Sequence, residues 1–155
     1  MSSKITQQMW EEIAESPYLM LSLSRSNEHS EPMRAQLDKN ANNCFWFYTT
    51  KDNRIASGGN AMAQFVSKDH KLFACISGNL IEEVSSTIID KFWSKGVEAW
   101  YQDGKEDPSL KMMRFELLTA EIWTVEPSVT GMLKLATGVT IKASEMGEHE
   151  NLAFK

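Results

Sequence analysis

Residues 32–50 read PMRAQLDKNANNCFWFYTT, and the fold turns on this stretch. In residues 32–38, Met33, Ala35 and Leu37 alternate with Arg34, Gln36 and Asp38. Successive side chains of a strand point to opposite faces, so one face suits a core while the other presents an arginine and an amide. After the loop KNANN comes Cys44–Thr50, CFWFYTT, rich in aromatics and ending in β-branched threonines. That is strand composition.

The same alternation appears on both sides of this stretch. Residues 18–24, YLMLSLS, set leucines against serines and predict a half-buried strand. Further on, AQFVS and LFACISGNLIEE read as two strands joined by the turn KDHK, and residues 112–127 predict two more, broken near Leu118 and Thr119. Helical spacing occurs twice. Ile5, Met9 and Ile13 predict an amphipathic helix ending before Pro17, and Ile88, Ile89, Phe92 and Trp93 predict another that stops at Gly96. KDNRIASGGNAM reads as a turn, with room for one short helical turn, and its two glycines argue against a long helix. Asp107 before Pro108 suits an N-cap, and the tail from Ser128, mixing glycines with polar residues, reads as irregular. Short strands in succession, with one helix in front and one inserted, favour a small barrel over a doubly wound sheet.

Composition bounds the rest. A chain of 155 residues, 42% hydrophobic and 24% charged, suits a single globular domain over residues 1–155. A net charge of −5 argues against nucleic acid as the main partner, since phosphate backbones call for a basic face. Cys44 and Cys75 lie in apolar runs without CxxC spacing, which predicts buried free thiols and a reducing cytosol. The polar, acidic N-terminus is unlike a signal peptide, and no apolar run reaches the ~18 residues of a membrane span. The expectation is a soluble cytoplasmic protein.

Motifs with a fixed chemistry are missing. His29, His70 and His149 are far apart in polar surroundings, without metal-ligand spacing. There is no GxSxG elbow, no GxxxxGK[ST] loop and no GxGxxG fingerprint. The informative constellation is Arg34 and Gln36 on one strand face, with Thr49, Thr50, Lys51, Asn53 and Arg54 in the turn after the next strand. Such a set can surround a phosphate with charge-assisted hydrogen bonds, and it can equally be a solvated turn. Trp100, in a polar glycine-containing loop, suits either a planar ligand or interface, or plain packing.

Taken in order, PMRAQLD, FWFYTTKDN, ISGN, FWSKGVEAWYQDGKEDPSL and AEIWTVEP resemble the general stress protein branch of the pyridoxamine 5′-phosphate oxidase-like flavoproteins. The resemblance runs from about residue 18 to about residue 148, and its most specific part is WYQDGKEDP. It implies a mainly β fold, a six-stranded antiparallel split barrel with flanking helices, in a homodimer with FMN between the subunits. It places Met33, Arg34, Ala35 and Gln36 along the flavin, partly through backbone groups, and Tyr48 and Thr49 at the ring and ribityl chain. Thr50, Lys51, Asn53 and Arg54 would hold the phosphate, and Trp100 would approach from the partner. Asn53 and Arg54 stand where many members have serine and lysine, and ASGGNAM carries glycines where relatives often have a charged helix.

The resemblance implies an FMN-dependent reductase or oxidase of unknown substrate, linked to stress responses. Two other readings stay open: a flavin-binding or sensing module without turnover, and a barrel dimer that has lost its cofactor. Haem and deazaflavin also occur among split-barrel relatives. The tail GEHENLAFK lacks the basic segment with which a vitamin B6 oxidase would hold its substrate phosphate.

Overall fold

The computed structural model describes residues 3–126 and 128–154; Met1, Ser2, Pro127 and Lys155, at the ends of the expected N-terminus, last strand and tail, lie outside them. Helix α1 (Lys4–Glu15) starts where the Ser3 hydroxyl accepts from the Thr6 N–H, and it buries Ile5, Met9 and Ile13 as the four-residue spacing predicts. Strands β1 (Tyr18–Leu23), β2 (Glu31–Arg34), β3 (Cys44–Thr50), β4 (Gly59–Val66) and β5 (Leu72–Glu82) follow. Helices α2 (Ser86–Phe92) and α3 (Lys95–Glu98) precede the long strand β6 (Leu110–Thr124). Helix α4 (Val129–Thr137) and strand β7 (His149–Ala153) complete the chain.

All pairings are antiparallel, in the order β2-β1-β4-β5-β6-β3. Two hydrogen bonds between Gln36 and Trp46, 2.7 and 3.0 Å, bring the β2 side back to β3 and nearly close a six-stranded barrel. The fold is mainly β, a split barrel with flanking helices. Its interior holds Phe45, Phe47, Phe65 and Phe115, all fully buried, with Phe45 stacked on Phe115 at 5.1 Å. Helix α1 packs on β5 and β6 and sets Trp10 edge-on against Phe45 at 6.1 Å. Burying a side chain of this size contributes roughly 1.5–3 kcal/mol, so these phenylalanines are a large share of the driving force.

Several local expectations are corrected. The strand expected over residues 32–38 is regular only to Arg34; Ala35 then bonds Pro17 O and Gln36 bonds Trp46, because the chain changes partner at the seam. The turn ending in GGNAM is shorter than expected, and β4 already starts at Gly59, after positive φ angles of 70° and 100° at Gly58 and Gly59. Helix α2 stops at Phe92, because Trp93 is extended and the Ser94 hydroxyl caps a new turn at Val97; Gly96 lies inside α3. Asp107 caps no following helix. Its carboxylate accepts from the Ser109 N–H and hydroxyl, which closes the loop into β6.

The expected break at Leu118 is a bulge within one continuous strand. Register passes from Ser77–Thr119 to Gly78–Leu117, leaving Leu118 as the extra residue. Gly78 permits this, because a Cβ there would meet the Phe115 ring at 2.5 Å and Glu116 O at 2.6 Å. The tail is ordered too. Ser128 and Gly138 cap α4, and β7 pairs with Thr119–Trp123, beyond the end of β3 on the same edge of β6. Cys44 and Cys75 are free as expected but only half-buried. His149 lies in a strand, stacked on Trp123 at 5.0 Å. No described helix is long and apolar enough to cross a membrane.

Candidate functional site

The seam of the barrel opens into a cleft of ≈ 640 Å³. One wall is β2 and its continuation, the floor is the end of β3 with the turn beyond it, and the other wall is α2–α3. Met33, Arg34, Gln36, Tyr48, Thr49, Thr50, Asn53 and Trp100 all line it. Residues far apart in sequence meet here because the Gln36–Trp46 bridge sets β2 beside β3, while the long loop before β6 folds back across the β3 end.

Three of the expected residues, Ala35, Lys51 and Arg54, are not among those that line the cleft. Ala35 points into the core at 3% exposure, since strand alternation sends it opposite to Arg34 and Gln36. The Lys51 side chain is exposed, while its N–H donates to Ser109 O. Arg54 is turned toward the β1–β2 loop, where its Nη1 donates to His29 O at 2.8 Å and its Nε lies 3.5 Å from Glu31 Oε2.

The turn after β3 is internally bonded. Thr50 Oγ1 donates to Asp52 Oδ1 at 2.6 Å, and Asn53 Oδ1 accepts from the Ile55 N–H at 2.9 Å. With its oxygen committed, the amide of Asn53 has its NH₂ donors left for a ligand.

Two tyrosines fasten the far wall. Tyr48 donates to Ile89 O at 2.5 Å, and Tyr101 donates to Thr49 O at 2.6 Å. Burial, then the nearby Tyr101 and Asp90, pushes the Tyr48 phenol up to about 12. Burial, then Asp107, likewise pushes Tyr101 up to about 12. Both stay protonated near neutrality and keep donating. Lys91 adds a 2.6 Å ion pair to Asp38, and Phe92 packs on Trp46 at 5.3 Å.

Beneath Trp46 sits Glu83, only 8% exposed. It accepts from the Trp46 indole at 2.9 Å and from Arg114 at 3.1 Å. Burial works to raise its pKa, but the bonds from Trp46, the Ser85 N–H and Arg114 outweigh it and hold the carboxyl below its usual range.

Sequence reasoning missed half of the lining residues, among them Tyr18, Glu31, Phe92 and Tyr101. Phe92 sits at helical spacing and reads as core; Tyr101 adjoins Trp100, and that adjacency was the available signal. Among the described residues no His/Cys/Asp/Glu group could hold a metal ion. The arrangement therefore defines a class: a split-barrel protein with an aromatic-walled, hydroxyl- and amide-floored cleft at its seam.

The chain belongs to the pyridoxamine 5′-phosphate oxidase-like family, whose model matches residues 4–147, and within it to the general stress protein branch. A general stress FMN/FAD binding protein from Xanthomonas citri is 34% identical, with a TM-score of 0.75 over 83% of this chain and 94% of that one. A chain described as a general stress family protein, from Xanthomonas campestris pv. campestris, is 33% identical, with a TM-score of 0.73 over 83% and 94%. A chain from Jannaschia sp. CCS1 described as general stress protein 26 is 24% identical and shares the fold, with a TM-score of 0.78 over 97% and 98%. No protein with a curated description matches the chain.

Proposed function

We propose that the cleft binds FMN and that the protein is a flavin-dependent oxidoreductase, working as a cytoplasmic homodimer. The observation that carries this reading is the chemistry of the cleft. Its lining offers Trp100, Phe92 and Tyr48 to a planar ring, and Gln36, Thr49, Thr50 and Asn53 to a hydroxylated chain. Its ≈ 640 Å³ lies within the ~300–1,000 Å³ typical of sites that enclose one such molecule. The FMN/FAD binding named for the Xanthomonas citri relative supports the same ligand class.

When bound, the flavin supplies hydride or electron transfer, and the protein supplies position and polarity. Tyr48 and Tyr101 hold α2–α3 as a wall against which a ring can rest, and the neutral phenols place no charge beside it. Gln36 faces the cleft as an amide able both to donate and to accept at a ring edge. Arg34 is the one cation among the lining residues.

Three features support a homodimer. Trp100 is 84% exposed although it lines the cleft, so a second chain could cover it. Helix α4 leaves Val129, Met132, Leu133 and Leu135 in water. The chain exposes 9525 Å², against roughly 7,900 Å² expected of a folded monomer of its mass. The two free thiols suit a reducing cytosol.

The test is an absorption spectrum of the purified protein, titration with FMN, and then addition of NADH or NADPH. Saturable uptake near one FMN per chain, followed by bleaching of the flavin band, is expected. Uptake without reduction would leave a binding module, and no uptake would remove the cofactor from this reading.

A further inference from the structure

Glu31 runs against the chemistry of the rest of the cleft. As the first residue of β2 it lines the cleft, and it is the one acidic residue among the lining side chains. Its Oε2 lies 3.5 Å from Arg54 Nε, and its Oε1 is buried without a hydrogen-bond partner. Arg54 also donates to His29 O, so the guanidinium is held by a carboxylate and a carbonyl of the β1–β2 segment. The other side chains of the turn do not offset this, since Asp52 accepts from Thr50 and Lys51 is exposed.

A phosphate monoester at this end meets two costs. It has to compete with Glu31 for Arg54, and it brings a second negative charge close to a poorly solvated carboxylate. Arg54 can serve it with a bidentate fork only if the pairing with Glu31 loosens.

We infer that Glu31 is a specificity-determining residue that occupies Arg54 and thereby limits how strongly the cleft takes a phosphate-bearing flavin over the uncharged one. This rests on the flavin reading of the cleft. Neutralising Glu31 frees Arg54 and removes the repulsion, so the gain belongs to the phosphate alone.

The experiment titrates the full-length wild type, Glu31→Gln and Glu31→Gln/Arg54→Ala with FMN and with riboflavin, following flavin fluorescence. Glu31→Gln is expected to tighten FMN about tenfold and to leave riboflavin within about twofold. The double variant is expected to lose that gain. FMN affinity unchanged or weakened in Glu31→Gln, or riboflavin shifting as much as FMN, would overturn the inference while leaving the cofactor reading intact. If no variant binds either flavin, the cofactor reading fails, and this inference with it.

Discussion

Trp100 shows how a single side chain can belong to the site without belonging to the fold. It lines the cleft yet is 84% exposed, so truncating it removes little packing from the folded chain. Stacking of aromatic rings contributes about 0.5–1.5 kcal/mol beyond the area it covers. Trp100→Ala is therefore expected to weaken FMN binding about tenfold, area included, with a melting temperature close to wild type. Titration beside a thermal melt of the cofactor-free protein checks both. A large drop in melting temperature would mean that Trp100 supports the fold. Arg54 is the opposite case, a side chain whose local sequence suggests a phosphate ligand and whose contacts are with Glu31 and His29.

The element that shapes the cleft is the α2–α3 wall, which buries no residue fully and depends on what lies behind it. Phe92 rests on Trp46, and Trp46 donates to Glu83, which Arg114 also holds. Because the Glu83 carboxyl is held below its ordinary value of 4.5, folding favours its ionised form. Its contribution is complete above about pH 5 and is lost as pH falls through the lowered value. Glu83→Gln keeps an acceptor for the indole but loses the charge, which is expected to cost about 1–2 kcal/mol near neutrality. Urea melts of both proteins from pH 3 to 7 should show that gap narrowing at the acid end. A gap independent of pH would mean that shape rather than charge makes Glu83 matter.

For the molecule as a whole, the proposed homodimer is what the surface can be tested for. The apolar side chains of α4 face water, and in an isologous pair each such chain is buried twice. If α4 lies in the interface of the proposed homodimer, Leu133→Glu, at a position 63% exposed in the single chain, is expected to produce monomers at micromolar concentration. Sedimentation velocity would show this as a halved mass. Circular dichroism should be little changed, since the residue packs on nothing in its own chain's core. A variant that stays dimeric would exclude α4 from the interface.

Local pattern alone determined the elements that bury one face. The 3.6-residue period of Ile5, Met9 and Ile13 and the two-residue period of Leu19, Leu21 and Leu23 each specify an element and its inner side, and all six residues are buried. Part of the cleft-lining set was legible for the same reason, since alternation placed Arg34 and Gln36 on one face and chain continuity placed Thr49, Thr50 and Asn53 together, whereas Met33 and Tyr48 came only from the family resemblance. What depended on residues distant in sequence was not legible. The long strand β6 looked broken because its bulge fits around Gly78, 40 residues away, and β7 takes the half of the β6 edge that β3, starting at Cys44 opposite Glu116, leaves unpaired. Barrel closure carried Glu31 to Arg54 and Phe92 over Trp46. A period reports which face of an element turns inward, but which side chains meet across a seam is decided only when the backbone hydrogen bonds close.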